Sequence, residues 1–194
     1  MSYFPRGDRA GGRPVSPESI ERFGAQVPLT VDEAWKSVGT LMTSDGFVRL
    51  IDPAEVLPVM DLILPTHPGA IPTFATAWGD LIVQHEDAYV LVLYRLGFYT
   101  EFFGMAIDYV FDLADQAEEQ ATSLQRLFYD DAVAAYGVPA IDECFGFKLP
   151  LAMGGPDTVD NVAIRKLKEH LVFLVQAAGA PKDLDELDPP EQSA

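Results

Sequence analysis

Cysteine is nearly absent. Cys144 stands alone, so no disulfide can close within the chain. Long apolar runs are missing as well: the best candidate, Tyr89 to Phe103, is broken by Arg95, Gly97 and Glu101, short of the roughly 18 apolar residues that a bilayer crossing needs. The opening residues MSYFPRGDRAGGRP have no apolar centre of the kind a secretory leader carries, and the expected location is the cytosol. Basic residues are few, 13 Lys and Arg against 30 Asp and Glu, which leaves a net charge of -17 and a pI near 4.3. Such a surface repels nucleic acid and anionic lipid, and it favours a basic protein partner.

The three histidines, His67, His85 and His170, lie far apart, and none stands at a metal-ligand spacing with another or with Cys144, so neither a metal nor a cofactor is expected. Met153-Gly154-Gly155-Pro156 lacks the Gly-Lys-Ser/Thr ending of a phosphate loop, and Asp157 and Asp160 would repel a phosphate there. A turn with positive backbone dihedrals is the better reading. No carboxylates, histidines and hydroxyls assemble into a catalytic set, which points to a protein that binds and does not convert.

What the chain does hold is an ordinary globular mixture: 48% apolar and 22% charged residues place the negative charge on a folded body. Residues 1–16, rich in Gly, Pro and Arg, read as a flexible arm, and residues 181–194 as an acidic flexible tail after a helix stop at Gly179. Between them, Thr30 and Glu33 suggest a capping box on a short helix carrying Trp35. Phe47 to Ile51 alternates like a strand, and Asp52-Pro53 opens a helix through Leu64, with Pro58 placed to shorten or kink it. From Thr73 to Phe103 the aromatic and β-branched content predicts an antiparallel meander turning at Gly79-Asp80 and at His85-Glu86-Asp87, since the connections are too short for parallel crossovers. Ile107 to Tyr136 has helical periodicity, Cys144 to Met153 reads as a strand pair or loop, and Val159 to Ala178 as a closing helix. The fold class is therefore α+β: a mainly antiparallel sheet with flanking helices, followed by a smaller helix-rich C-terminal portion.

The stretch from Cys144 to Gly179 carries Phe145-Gly146-Phe147, Met153-Gly154-Gly155, Glu169-His170-Leu171 and Gln176. In this pattern it resembles the C-terminal domain of type VI secretion immunity proteins. Upstream, the Trp35 helix, the Phe47 to Pro53 strand and turn, and Ala77-Trp78-Gly79-Asp80-Leu81 resemble the GAD-like domain that precedes it in these proteins. The resemblance implies a GAD-like domain at 17–105 and an immunity-type domain at 106–180. It further implies an antidote that neutralises a cognate toxin inside the producing cell, the better-known toxins being DNA-cleaving nucleases, and it brings no catalytic residues.

Asp108, Asp112, Asp115 and Glu119 recur at helical intervals, flanked by Glu118, and a stripe rising about 5.4 Å per turn approximates the spacing of backbone phosphates. Such a stripe either faces a basic nuclease's DNA-binding groove or is an ordinary solvated face. Asp130 and Asp131 read as lying near the end of the same helix, where negative charge opposes the dipole and calls for a cation from a toxin, or from Arg126 or Lys148. Two rivals stand beside the immunity reading. One is a non-catalytic scaffold or regulator on the same fold. The other is an enzyme whose carboxylates, Asp80 and Glu101 among them, converge only in three dimensions.

Overall fold

The computed structural model describes residues 12–103, 124 and 126–187. The Ser16 hydroxyl accepts from the Ser19 amide and Pro17 takes the first helical position, which starts α1 (Pro17–Phe23). In α2 (Leu29–Ser37), Val31, Ala34 and Trp35 face the core. The capping box expected of Thr30 and Glu33 does not form. Pro28 takes the cap position with its backbone preset at φ -56, so the helix starts one residue before Thr30, whose hydroxyl is buried inside it.

Two short strands come next, β1 (Leu41–Met42) and β2 (Val48–Leu50). Asp52 accepts from the Ala54 amide as expected, but Pro53 opens two successive 3-10 turns, Pro53–Glu55 and Leu57–Val59, before the single turn of α3 (Met60–Ile63). Pro58 has no amide to give an α-helical ladder, and the helix expected through Leu64 is broken accordingly. The expected meander is present: β3 (Ile71–Thr76), β4 (Leu81–His85), β5 (Ala88–Leu93) and β6 (Phe98–Phe103) pair antiparallel in sequence order.

Among the described residues the main sheet has seven strands in the order β1-β2-β3-β4-β5-β6-β9. The last, β9 (Lys182–Asp183), pairs parallel to β6 and leads into α6 (Leu184–Leu187). This start of the expected flexible tail is thus structured. The edge of β6 offers backbone groups that need partners, and the Lys182 amide takes the Gly97 carbonyl at 3.0 Å.

The sheet is covered on both faces, which explains why β3 and β5 are buried at every position although antiparallel. One face, with Phe74, Ile82, Tyr89, Leu91 and Leu93, packs with Phe23, Val31 and Trp35. The other, with Ala75, Leu81, Val83, Val90 and Val92, packs on Met60 and Ile63 and on Leu167, Leu171 and Leu174.

In the C-terminal portion the expected long helix ending at Tyr136 is described only from α4 (Tyr129–Tyr136). Leu127, at φ 52, lies in the left-handed region and cannot continue a right-handed helix into it. Next comes β7 (Glu143–Phe147), paired antiparallel with β8 (Val162–Lys166), and then α5 (Leu167–Ala178). The helix expected from Val159 therefore begins eight residues later. Val162 to Lys166 is drawn into a hairpin by the Phe145-Gly146-Phe147 strand, and only the residues after it return to helical spacing. Gly179 ends α5 at φ 89, as expected.

Arg49 joins the two portions. Its side chain is fully buried and reaches no carboxylate: Nε donates to the Gly46 carbonyl, while Nη1 and Nη2 donate to the carbonyls of Ala140, Glu143 and Pro139. Burial draws this guanidinium below its usual pKa. Arg49→Met would leave these carbonyls without donors and should cost about 3 kcal/mol of stability, read as a lower denaturation midpoint in urea. A loss near zero would show that the carbonyls find water instead.

Candidate functional site

Of the acidic residues singled out in the sequence, Asp108, Asp112, Asp115, Glu118 and Glu119 lie outside the described residues. Asp130 and Asp131 are in the first turn of α4, not at the end of a helix, so their charges favour the helix dipole. Asp130 accepts from Arg126 at 2.5 Å with its side chain 82% exposed, and Asp131 is exposed too. The dipole therefore does not call for a cation here, although Asp130 does pair with Arg126, one of the two internal candidates.

Arg126 organises this end of the molecule. Its Nη1 reaches Asp45 at 2.5 Å, its guanidinium lies over the Tyr129 ring at 4.6 Å, and its carbonyl accepts from the Trp78 indole at 3.0 Å. The Tyr129 hydroxyl donates to the Asp45 carbonyl at 2.7 Å. Trp78 sits at the centre of an aromatic cluster, with Phe128, Phe145 and Phe147 at centroid separations of 5.0, 5.6 and 5.8 Å. The Ala77–Leu81 turn and the Phe145-Gly146-Phe147 strand, separate motifs in the sequence, are therefore neighbours. The Phe145 amide binds the Ala77 carbonyl at 2.7 Å.

The two carboxylates suspected of converging have different partners. Asp80 is fully buried and ion-pairs with Arg95 at 2.9 Å, and burial pushes its carboxyl up while Arg95 opposes the shift. Glu101 takes His67 Nε2 at 3.0 Å. The sheet does join two histidines that sequence spacing keeps apart: the His67 ring meets His85 edge-on at 4.9 Å and Tyr99 at 4.8 Å. Only knowledge of how the turn before β3 lies against β4 and β6 could have revealed this. Among the described residues no cluster of three or more His, Cys, Asp and Glu could hold a metal. Cys144 is buried, and its thiol is pushed up to about 12 by desolvation.

The Gly-Gly turn has a structural explanation. Gly154 adopts φ 82, and a side chain on Gly155 would lie 2.0 Å from the Leu149 carbonyl. Asn161 holds the loop from the other side, donating to the carbonyls of Leu149 and Pro156 and accepting from the Leu149 amide. Neither Asp157 nor Thr158 provides a side-chain cap on a long helix there; a single 3-10 turn, Val159–Asn161, leads into β8.

With this geometry in place, the chain can be set beside known proteins. Residues 106–177 match the family model described as T6SS immunity protein Tdi1, C-terminal. The match supports a type VI secretion immunity protein. Its span takes in Asp130, Asp131, the β7–β8 hairpin and nearly all of α5. The fold is similar to the crystal structure of Atu4351 from Agrobacterium tumefaciens, with a TM-score of 0.78 at 16% identity over 92% of this chain and 89% of that one. At that identity the likeness shows the fold alone. No curated protein matches the sequence. Among the described residues no helix is long and apolar enough to cross a membrane.

His170, in the Glu-His-Leu motif, is 4% exposed, and its Nε2 has no hydrogen-bond partner. Desolvation, aided by Arg165, lowers its pKa to about 4. In the unfolded chain the group titrates near 6.5, so the unfolded state binds the extra proton first as pH falls. Stability from this residue is complete above about pH 6.5 and is lost progressively down to about pH 4, by about 3 kcal/mol in all. Urea titrations across that range should show a steeper decline for the wild type than for His170→Gln. Parallel curves would contradict the burial of a neutral imidazole.

Proposed function

We propose that the protein is the antidote of a type VI secretion toxin, neutralising it by stoichiometric binding in the cytosol of the producing cell. The observation that carries this reading is the immunity-domain match over residues 106–177. The charge of -17 supports a partner that is basic, such as a DNase whose groove is built for phosphates. In this reading residues 17–105 are the GAD-like domain of the antidote. The acidic residues Asp108, Asp112, Asp115, Glu118 and Glu119, with Asp130 and Asp131, take the place of nucleic-acid contacts and occlude the substrate surface. Asp131 is the freer of the last two, since Asp130 already serves Arg126.

The direct test is growth of cells that make the toxin encoded beside this protein, with and without it. Protection is expected, and Asp112→Lys with Asp115→Lys should weaken the complex, chiefly by slowing association, about tenfold or more at low salt. Death in the presence of well-expressed protein would refute the antidote reading; unchanged affinity would remove the acidic stripe from the interface.

A further inference from the structure

The described surface also carries a group of exposed cations, set among Asp142, Glu143, Asp160 and Glu169. Four of the chain's thirteen basic residues, Lys148, Arg165, Lys166 and Lys168, fall on β8 and its immediate surroundings. The buried cations Arg49, Arg95 and Arg126 are engaged inside the fold, whereas these four face outward. Between β7, β8 and α5 lies a cleft of about 370 Å³ lined by Phe147, Lys148, Arg165, Lys166, Glu169, His170 and Phe173.

The cations there are satisfied unequally. Lys166 ion-pairs with Asp142 and Glu143 at 3.0 and 3.1 Å, and Lys148 donates to the Asp160 carbonyl at 2.7 Å. Arg165 has no ion pair or side-chain hydrogen bond among the described residues, although its planar fork is suited to a carboxylate. Beside it, Phe173 is 43% exposed and lies at a shallow angle to the His170 ring, 6.2 Å away. His170 in turn is seated on Gly146, where a Cβ would come within 2.7 Å of the imidazole and 2.9 Å of Arg165, so the cleft wall requires glycine at that strand position. Of the nine large apolar side chains exposed among the described residues, six lie between Leu127 and Phe173, Leu149 and Met153 among them. An unpaired Arg beside an exposed aromatic is the composition of the central part of a protein interface.

Resting on the antidote reading, we infer that this cleft is a second docking site for the toxin, receiving an acidic segment in which a carboxylate binds Arg165 and a neighbouring apolar side chain packs on Phe173. Charge complementarity selects this occupant. Screening confines the attraction of the cleft to about 8 Å at physiological salt. A short acidic segment feels it, while an extended polyanion such as duplex DNA meets the repulsion of a molecule carrying -17. The toxin is then held by surfaces of both signs, which fixes its orientation and rejects partners that complement only one.

The test measures binding of the purified cognate toxin to the wild type, R165E, R165Q and F173A by surface interferometry at physiological salt, with thermal melts of each. R165E and F173A should each weaken the complex about tenfold or more, mainly through faster dissociation, with R165Q intermediate and the melting temperatures unchanged. An Asp or Glu to Arg change in the toxin should restore binding to R165E. Wild-type affinity in R165E would overturn the cleft assignment and leave the antidote reading standing. A wild type that does not bind the toxin would overturn both. Arg165-dependent capture of duplex DNA or of phosphatidylserine vesicles would assign the cleft to a different partner and overturn the proposal.

Discussion

Arg49 takes a full positive charge to a site with no exposure, and the carbonyls that receive it come from Gly46 on one side and from Pro139, Ala140 and Glu143 on the other. Burial of an unpaired charge is prohibitive unless dipoles replace its hydration. The segment 139–143 must therefore lie against β2 for the protein to fold, and β7 begins within that segment. From there the geometry propagates. The Phe145 amide binds the turn at Ala77, Trp78 stacks into the Phe145 and Phe147 rings, and Arg126 closes the arrangement through Asp45. The hydrophobic cluster on this face runs without a break from Val15 and Phe23 to Phe147 and Val162. The division expected between 17–105 and 106–180 is thus crossed by one shared core.

The parts legible in sequence are those governed by local chemistry. Alternating β-branched and aromatic residues with Gly79-Asp80 and Glu86-Asp87 between them announce a meander, and the structure has it. Pro53 after Asp52 announces a helical start, although Pro58 divides the segment that it opens. Periodicity misleads where tertiary pairing overrides it. Val162 to Lys166 fits a helical face as well as a strand, and only the presence of β7 as a partner decides it. Lys182-Asp183 looks like tail until the open edge of β6 is considered. Asp130 and Asp131 are assigned to the wrong helix end by spacing because Leu127's left-handed backbone gives no compositional signal.

The same distinction separates the two proposed docking surfaces. An excess of carboxylates is visible in composition, whereas the cleft beside Arg165 is assembled from β7, β8 and α5 and cannot be inferred from spacing. The cleft belongs to the segment matching the immunity family. A shared core holds the described part of this segment, with the cleft, in a fixed relation to the main sheet. Fixed geometry of this kind lowers the entropic cost of engaging more than one surface at once.

A core shared in this way makes the sheet and the immunity-type portion a single cooperative unit. Scanning calorimetry of the full chain addresses this directly. One transition, with a calorimetric enthalpy close to the van't Hoff value, is the predicted result. Two resolved transitions, each with its own enthalpy, would show that the core shared across Arg49 and Trp78 does not couple the two portions.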